Sequence, residues 1–377
     1  MSLYLTEAEV GELCSPEAAF AAVEGSLHRQ NHREIANPAR VRLDIPDGVF
    51  AVMPCVDRGL GLAGLKTFAW TPGGAPFLVV LLSLAEHRIE AVLEAAALGE
   101  LRTAAASAVA ARHLARPDAT TLGIFECGRQ AASHVVALRA AFPAIEHVIV
   151  HGRSAERRDA FCREHDARPA ASPAEAARCD IVVTATTSTE LVVRGKWLTA
   201  GAFVCAVGAN EPASRELDDE VLLRAATISV DLLEQARAEV GDLIDPARRG
   251  VVRWSDVVEL HTIVAGDTPG RQSDAEITLF KSSGLAAWDL ALAHTWSSSP
   301  GCVRERRAST RRRLRRPRAR HPHARGCVRA ALVSSDSSRS DRRRSRRAAG
   351  RDGARGSGTA RSAPRSANRF AETRTRR

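Results

Sequence analysis

The chain has 377 residues, of which 45% are hydrophobic and 26% are charged, so it is long enough for two ordinary domains with apolar cores. Its net charge of +10 is unevenly distributed: residues 301–377 contain 26 arginines, no lysine and five acids, whereas residues 1–300 are net acidic. The basic charge therefore belongs to the C-terminal segment, and it does not make residues 1–300 a nucleic-acid-binding domain.

The cellular compartment is predicted from three features of the sequence. The N-terminus lacks the basic region and the apolar core of a signal peptide. The longest apolar run, residues 77–82, is too short to span a bilayer. The eight cysteines form no C-x-x-C pair, which is typical of reduced thiols inside the cell. We therefore expect a cytoplasmic protein with no membrane partner.

The first part of the chain predicts helices followed by short strands. Apolar residues recur at helical spacing over residues 6–30, where Ser15-Pro16-Glu17 has the sequence of a helix start. Turn residues separate predicted strands at 40–45, 48–54 and 62–68. These elements predict a small, largely antiparallel sheet with a helix packed on it. An Ala-rich helix follows over 95–114, interrupted by Leu101-Arg102-Thr103.

Strands and helices alternate from residue 121 onward. Apolar runs such as 181–185 suit a parallel sheet covered on both faces. The alternation predicts a Rossmann-type, doubly wound parallel sheet in an α/β protein. The predicted strands are 121–126, 147–151, 180–186, 202–207 and 227–231, and the predicted helices are 130–142, 154–166, 173–178 and 217–225.

The turn after the first of these strands has most of a dinucleotide-binding pattern. In G-x-G-x-x-G/A, Gly128 and Ala131 hold the second and third places, but Glu126 occupies the first. Glycines at this turn let backbone N–H groups and the positive end of a helix meet a pyrophosphate. A carboxylate adds repulsion and a side chain where glycine permits close approach. We predict a cofactor loop at 121–131 that Glu126 disturbs.

The end of the second strand of this region predicts the cofactor. A ribose with a free 2′-hydroxyl is usually held by Asp or Glu about twenty residues beyond the glycines. This chain has His151 and Gly152 there, followed by Arg153 and Arg157. Cations at that place favour a 2′-phosphate, so we predict NADP(H) over NAD(H). Arg157 can equally be a solvated helix residue.

Three cations occur in otherwise apolar or small-residue segments. Lys66, one of only three lysines, lies inside an apolar strand, Arg40 opens a strand, and Arg102 lies in the Ala-rich helix. A buried charge is costly unless it is paired or faces a polar cavity. Arginine can grip a carboxylate through two hydrogen bonds, and lysine can exchange a proton. We interpret the three as cavity-facing cations for an anionic ligand; the alternatives are a lysine and an arginine that reach solvent.

Taken together, these segments resemble the ornithine cyclodeaminase/mu-crystallin family over about residues 35–293. Each stretch is modest alone, but their order and spacing are specific. The stretches that carry the resemblance are Gly48–Pro54, Gly64–Thr67, Leu101–Ala108, Gly123–Ala131, Asp180–Ser188, Val207–Pro212, Glu239–Leu243 and Phe280–Gly284.

The resemblance implies a homodimer whose chain has two domains. An N-terminal α+β domain, residues 1–118 with about 271–299, would bind the substrate and dimerise. Residues 119–270 would form the Rossmann domain that holds the cofactor. Lys66, Arg40 and Arg102 match residues around the substrate carboxylate and imine, and no metal is implied. The expected cofactor-binding residues are Thr103, Glu126, Cys127, Gly128, Arg129, Gln130, Gly152, Arg153, Ser154, Arg157, Thr184, Thr186, Gly208 and Ser282.

The implied chemistry is hydride transfer between nicotinamide C4 and the α-carbon of an amino acid or cyclic imine. Cyclodeaminases of the family carry an aspartate where this chain has Asn210. An amide can form hydrogen bonds but cannot act as a base at neutral pH, and the neighbouring Glu211 is the alternative base. The resemblance therefore favours a ketimine reductase or amino-acid dehydrogenase. Ornithine cyclodeaminase, which converts L-ornithine to L-proline and ammonia, and a non-catalytic ligand-binding relative are the alternatives.

The C-terminal segment, residues 300–377, is predicted to be disordered. It is rich in Arg, Ser, Ala and Gly and cannot bury enough apolar surface to fold alone. One interpretation is a nucleic-acid-binding arm, but the segment has no lysine and Phe370 is its only aromatic residue. A shifted frame of a GC-rich gene would produce this composition, so we favour a frameshifted or otherwise unselected tail and do not expect nucleic acid as a partner.

Overall fold

The computed structural model describes residues 2–13 and 15–297. The Arg-rich segment 300–377 lies outside the described residues, so its disorder and its origin stay predictions. The strands are β1 (Leu3–Leu5), β2 (Ile35–Ala36), β3 (Val41–Ile45), β4 (Gly48–Asp57), β5 (Leu62–Trp70), β6 (Phe77–Ser83), β7 (Arg88–Glu94), β8 (Thr121–Phe125), β9 (His147–His151), β10 (Arg168–Pro169), β11 (Ile181–Thr184), β12 (Phe203–Ala206), β13 (Ala225–Val230), β14 (Val257–Glu259) and β15 (Ile277–Lys281). The α-helices are α1 (Glu7–Leu13), α2 (Pro16–Asn31), α3 (Ala96–Leu114), α4 (Arg129–Ala141), α5 (Ala155–Glu164), α6 (Pro173–Ala177), α7 (Asp219–Arg224), α8 (Leu233–Glu239), α9 (Gly241–Arg248), α10 (Leu260–Val264) and α11 (Ala286–Ser297). Short 3-10 helices cover Gly195–Trp197 and Trp254–Asp256.

The first seven strands form one sheet, in the order β1-β7-β6-β5-β4-β2, with β3 also paired to β4. Its pairs are antiparallel except that β1 runs parallel to β7. This confirms the predicted antiparallel sheet, which also contains β1, β2, β6 and β7, four strands that were not predicted from the sequence. Helix α11 packs on β4, β5 and β6 and on helices α2 and α3. Lys66 pairs with Met53 of β4 and Val79 of β6, so it lies in the interior of this sheet.

The remaining strands form a sheet of eight, in the order β10-β9-β8-β11-β12-β15-β13-β14. All of its pairs are parallel. This confirms the predicted Rossmann-type fold. Since the chain moves from β8 to β9 on one side and later returns to β11 on the other, the carboxyl end of β8 is the switch point at which such sheets bind ligands.

Local signals predicted several helix boundaries. The Ser15 hydroxyl accepts a hydrogen bond from the amide of Ala18 at 3.1 Å and so caps α2. Ser172 caps α6 in the same way, through the amide of Glu175 at 3.3 Å. Helix α3 is continuous, so Arg102 interrupts its composition but not its backbone. No helix among the described residues is long and apolar enough to cross a membrane.

The structure divides the segment 271–299, which the sequence analysis assigns to the N-terminal domain. Strand β15 lies between β12 and β13 in the parallel sheet, whereas α11 packs on the antiparallel sheet. The assignment of β15 is therefore wrong. The physical reason is that all five residues of β15 are buried, which suits the interior of a parallel sheet covered on both faces.

Candidate active site

The carboxyl edge of the parallel sheet gathers most of the predicted cofactor residues. Because all strand pairs are parallel, residues that follow different strands meet along this edge. Thr103 lies instead on α3, which packs against α4. The residues on the edge are Glu126–Gln130 after β8, Gly152, Arg153, Ser154 and Arg157 after β9, Thr184 and Thr186 at the end of β11, Gly208 and Asn210 after β12, and Ser282 after β15.

Helix α4 begins at this edge with an open N-terminus. Gly128 is its N-cap, with extended backbone at φ −99° and ψ −174°, and no side chain caps the helix. The first N–H groups of a helix need acceptors from outside it, and an anion can supply them. These observations fit the pyrophosphate of a dinucleotide at this helix end.

A histidine that the sequence analysis missed fixes α4 against α3. His134 is fully buried; its Nδ1 lies 2.7 Å from the Gln130 carbonyl oxygen and its Nε2 lies 2.8 Å from Ser107 Oγ. Burial lowers the pKa of His134 to about 4, so the ring is neutral at physiological pH. Nδ1 then donates to the carbonyl and Nε2 accepts from the serine hydroxyl. The Thr103 hydroxyl donates to the carbonyl of Gly99 at 2.6 Å, inside α3.

A cleft opens beside the glycine-containing loop. Its volume is about 230 Å³, and a second cavity, which shares Glu126 and Arg153 with it, reaches His151 and Thr186. Gly152 has no room for a side chain, because a Cβ there would overlap the Cys127 sulfur. The residues that line the main cleft are Glu126, Cys127, Arg153, Ser154 and Arg157.

The side chain of Arg129 is not among the residues that line this cleft. Its side chain is 75% exposed and its Nε lies 2.9 Å from Glu100 Oε1. The part of Arg129 that fits the cofactor loop is therefore its backbone, at the first position of α4.

Lys66 and Arg102 share one carboxylate, that of Asp289. Lys66 Nζ lies 2.8 Å from Asp289 Oδ1, and Arg102 Nε lies 3.2 Å from the same oxygen. The two cationic side chains are 4% and 9% exposed, which contradicts the alternative that they reach solvent. Burial lowers the pKa of Lys66 to about 8, although the charge of Asp289 opposes this shift. The cations thus have an internal anion, which the sequence analysis did not predict.

Arg40 joins the same charged region from the edge of β3. Its Nε lies 3.0 Å from Glu239 Oε2, and its guanidinium also donates to the Ser283 carbonyl. Burial lowers the pKa of Arg40 to about 10. Arg42 contacts the same Glu239 oxygen at 3.0 Å and donates to the backbone carbonyl of Asn210 at 2.8 Å. The structure therefore brings the predicted catalytic residues into one region that extends from Lys66 to Asn210.

The loop after β15 connects this region to the cofactor edge. Gly284 has φ +81°, and a Cβ there would overlap the Arg102 guanidinium. Asp231, at the end of β13, holds the loop: its Oδ2 accepts from Ser282 Oγ at 2.9 Å and from the amides of Ser283 and Gly284 at 2.6 Å each. Burial raises the pKa of Asp231 to about 6, against the effect of these amides.

No role was predicted from the sequence for the three carboxylates of this region, Asp231, Glu239 and Asp289, although Glu239 lies in the stretch Glu239–Leu243 that carries the resemblance. Asp289 lies in the otherwise apolar stretch Ala286–Ala293 of α11, which is the same signal that identified Lys66, and it could have been found in that way. Asp231 follows an apolar strand and resembles any residue at a strand end. Glu239 ends a helix of mixed composition, where an acidic residue carries no signal.

A second buried charge cluster underlies the turns after β11 and β12. Lys281 Nζ lies 3.3 Å from Asp242 Oδ2 and 3.9 Å from Glu216 Oε2, and all three side chains are fully buried. Glu216 accepts from the amide and the hydroxyl of Thr186, at 2.9 and 2.8 Å, and from the amide of Gly208 at 2.9 Å. The cluster therefore holds two of the predicted cofactor residues in place. Thr184 is buried beside them, and its hydroxyl has no hydrogen-bond partner among the described residues.

The titration of Asp231 predicts a pH-dependent stability. Its pKa is raised from 3.8 to about 6 on folding, so between these values the native state keeps a proton that the unfolded state has lost. The contribution of Asp231 to stability therefore falls as the pH rises through this window, by roughly 2–3 kcal/mol in all. The free energy of unfolding, measured with urea from pH 4 to 7, should fall more steeply with pH in the wild type than in Asp231→Asn. The exposed Asp274→Asn is the control, and an identical slope in the wild type and Asp231→Asn would contradict the prediction.

No group of three or more His, Cys, Asp or Glu side chains that could hold a metal ion occurs in residues 2–13 and 15–297.

Comparison with known proteins identifies a family and several solved structures to which this chain is similar. Residues 2–299 match the model of the ornithine cyclodeaminase/mu-crystallin family. A probable ornithine cyclodeaminase from Bordetella pertussis Tohama I is 36% identical, with a TM-score of 0.74 over 82% of this chain and 98% of that chain. The Δ1-pyrroline-2-carboxylate reductase of Thermococcus litoralis, solved with NADH and L-proline, is 29% identical, with a TM-score of 0.74 over 78% and 95%. An archaeal alanine dehydrogenase dimer with bound NAD is 33% identical, with a TM-score of 0.74 over 82% and 97%.

Proposed function

The chain belongs to the ornithine cyclodeaminase/mu-crystallin family, and we propose on that basis that it transfers hydride between a nicotinamide dinucleotide and the α-carbon of an amino acid or cyclic imino acid. It is thus an NAD(P)-dependent oxidoreductase of the ketimine reductase or amino-acid dehydrogenase type. One observation carries the proposal: the loop 282–284 follows a strand of the dinucleotide-binding edge and contacts Arg102 in the buried charged region. The cofactor edge and the cations are therefore adjacent.

An unpartnered guanidinium nitrogen in this region favours an anionic substrate. Four cations, Arg40, Arg42, Lys66 and Arg102, face four carboxylates, Asp231, Glu239, Asp289 and the exposed Glu211, which lies 3.8 Å from Arg42. The buried Nη1 of Arg102 has no hydrogen-bond partner among the described residues, so it can donate to a substrate carboxylate. A fixed carboxylate orients the neighbouring α-carbon, which is the atom that must face the nicotinamide ring.

Lys66 is the residue best suited to hold the proton of the reaction. A lysine with a pKa near 8 is largely protonated at neutral pH and can still release its proton. Transfer of that proton from Nζ to the imine nitrogen would leave a neutral lysine and a protonated imine, which accepts hydride most readily. Arg40 and Arg102 would bind the carboxylate through their guanidinium groups. The nicotinamide supplies the hydride when it is bound.

We further propose that NADP(H) is preferred to NAD(H). The main cleft carries Arg153 and Arg157, and the end of β9 presents His151 and Gly152 instead of an acidic residue. Arginine binds phosphate through paired hydrogen bonds, so this cleft suits a 2′-phosphate. Gly128, Arg129 and Gln130 would hold the pyrophosphate through backbone N–H groups. Thr184, Thr186, Gly208 and Ser282 would lie along the rest of the dinucleotide.

The experiment is a reduction assay with a panel of substrates. NADPH absorbance should fall when the protein is given Δ1-pyrroline-2-carboxylate or related cyclic imino acids, or pyruvate with ammonia or an amine. The rate at low cofactor concentration should be higher with NADPH than with NADH. No cofactor consumption across the panel would refute the reductase proposal, and a preference for NADH would refute the NADP(H) proposal alone.

Ornithine cyclodeaminase is the second candidate, because the Bordetella relative carries that description. Asn210 argues against it, because its side-chain amide cannot act as a base at the position where cyclodeaminases have aspartate. Its backbone carbonyl accepts a hydrogen bond from Arg42. Formation of L-proline and ammonia from L-ornithine would favour this candidate. A non-catalytic ligand-binding relative would bind the dinucleotide and turn over neither substrate.

We also propose a cytoplasmic homodimer with two domains. The first would contain β1–β7 and α1–α3 together with α11, and the second the parallel sheet with its helices. The antiparallel sheet exposes apolar side chains that a partner subunit could cover, as at Val41, Leu43 and Trp70, which are 52%, 55% and 55% exposed. Dimer formation by the archaeal alanine dehydrogenase supports this arrangement.

A further inference from the structure

Glu126 has a backbone conformation that non-glycine residues rarely adopt. Its φ is +121°, in the region where glycine is favoured, and it stands at the first glycine position of the dinucleotide pattern. The loop therefore keeps the shape that a glycine would give it although a side chain is present. Backbone strain of this kind often marks a functional position, because the surrounding structure must hold it in place.

The Glu126 side chain lies over the loop and faces the cleft. Its Oε1 accepts a hydrogen bond from the amide of Cys127 at 2.9 Å, and the residue lines both cavities at this edge. Across the main cleft, Ser154 begins α5 and accepts from the amide of Arg157 at 3.3 Å. No ion pair joins Glu126 to Arg153 or Arg157 within the described part of the chain, so the carboxylate and the guanidinium groups line the cleft as separate charges.

The pKa of the Cys127 thiol responds to the charged side chains around this cleft. Burial is the main reason that its pKa rises to about 11, and the negative charge of Glu126 adds to that shift. Arg157 and Arg158 act in the opposite direction. Charges of both signs thus act over the same short distance, at the place where the arginines would meet the adenosine ribose.

We propose that Glu126 and the pair Arg153 and Arg157 are opposed specificity determinants within one cleft. The carboxylate accepts hydrogen bonds from ribose hydroxyls and repels a 2′-phosphate, whereas the arginines attract that phosphate. The protein therefore accepts both NAD(H) and NADP(H), and its affinity for NADP(H) relative to NAD(H) is lower than the arginines alone would produce. The inference rests on the proposed function, since it requires a nicotinamide dinucleotide in this cleft.

The test is the equilibrium binding of NADPH and NADH to the full chain, measured by calorimetry. Glu126→Gln removes the charge but keeps an oxygen that can accept from the Cys127 amide. We expect it to raise the affinity for NADPH about 10-fold, because a unit charge near a phosphate in a half-buried cleft has an effect of this order. The affinity for NADH should stay the same or fall. The double variant Arg153→Gln/Arg157→Gln should weaken the binding of NADPH more than the binding of NADH.

Two further variants separate charge from other effects. Glu126→Gly removes both the charge and the strain, so it should give the same shift toward NADPH and also raise the melting temperature, which Glu126→Gln should not. Arg163→Gln changes an exposed arginine at the far end of α5 and should leave both affinities unchanged.

The outcomes distinguish this inference from the proposals on which it rests. An equal change in NADPH and NADH affinity in Glu126→Gln would overturn it, because the carboxylate would then act on the shared pyrophosphate loop. If the wild type prefers NADH but Glu126→Gln shifts the ratio toward NADPH, the inference stands and the NADP(H) preference fails. If no variant binds either cofactor, the proposed function fails, and this inference fails with it.

Discussion

Replacement of Lys66 by methionine is expected to lower kcat/KM for imine reduction by about 10²- to 10⁴-fold, the usual contribution of a positioned proton donor. Lys66 lies on β5 and contacts Asp289 of α11 at 2.8 Å, in the interior of the molecule. Methionine has a similar length but no charge and no proton, so Asp289 would keep Arg102 as its remaining cation within 4 Å among the described residues. Initial rates with saturating NADPH and varied imino acid measure the effect.

The pH profile separates a proton donor from a merely structural lysine. Because burial lowers the pKa of Lys66 to about 8, the wild-type kcat/KM should fall as the pH rises through this value. Lys66→Arg keeps the charge at higher pH, so any activity that it retains should lack this descending limb. Lys196→Met, at an exposed position of the 3-10 helix Gly195–Trp197, is the matched control and should be indistinguishable from the wild type. Near-normal activity of Lys66→Met would refute the assigned role.

Replacement of Lys281 by methionine is expected to destabilise the protein by about 3–5 kcal/mol, the usual result of removing one partner from a buried ionic group. Lys281 is the cation between the fully buried carboxylates of Asp242 and Glu216. Without it, these two negative charges would face each other in a region of low dielectric constant. The loss corresponds to a fall in melting temperature of roughly 6–20 °C, which differential scanning calorimetry would detect.

A double variant tests whether charge is the cause. In Lys281→Met/Asp242→Asn one carboxylate is neutral, and the asparagine oxygen can still accept from the amides of Glu216 and Leu217, as Asp242 does at 2.7 and 2.9 Å. We expect this variant to recover part of the lost stability. Lys196→Met again serves as the control. A double variant that is less stable than Lys281→Met would show that the cavity around the methionine, and not the unpaired charge, dominates.

The elements that were predicted correctly depend on interactions close along the chain. Ser15 and Ser172 cap helices through amides three residues away, and the apolar run at β11 pairs in a sheet because its side chains suit burial on both faces. Strands β6 and β7 were not predicted from the sequence, although residues 77–82 are apolar. Their β-structure depends on pairing with β5 and with each other, and the charged residues of β7 weaken its local signal.

The candidate site likewise contains residues that local sequence signals reveal and partners that only the fold brings to them. Lys66, Arg102 and the glycine-pattern loop could be found from the sequence because a charge in an apolar segment, or a glycine turn between a strand and a helix, is a local signal. Their partners could not, since Asp289 is 223 residues from Lys66 along the chain. The strained backbone of Glu126 and the pairing of Lys281 with Asp242 likewise exist only after the chain has folded. Local sequence determines which segments form strands and helices because hydrogen bonds and apolar periodicity act over a few residues. Packing decides which buried charges meet, because a charge removed from water takes its partner from whatever element the fold places beside it.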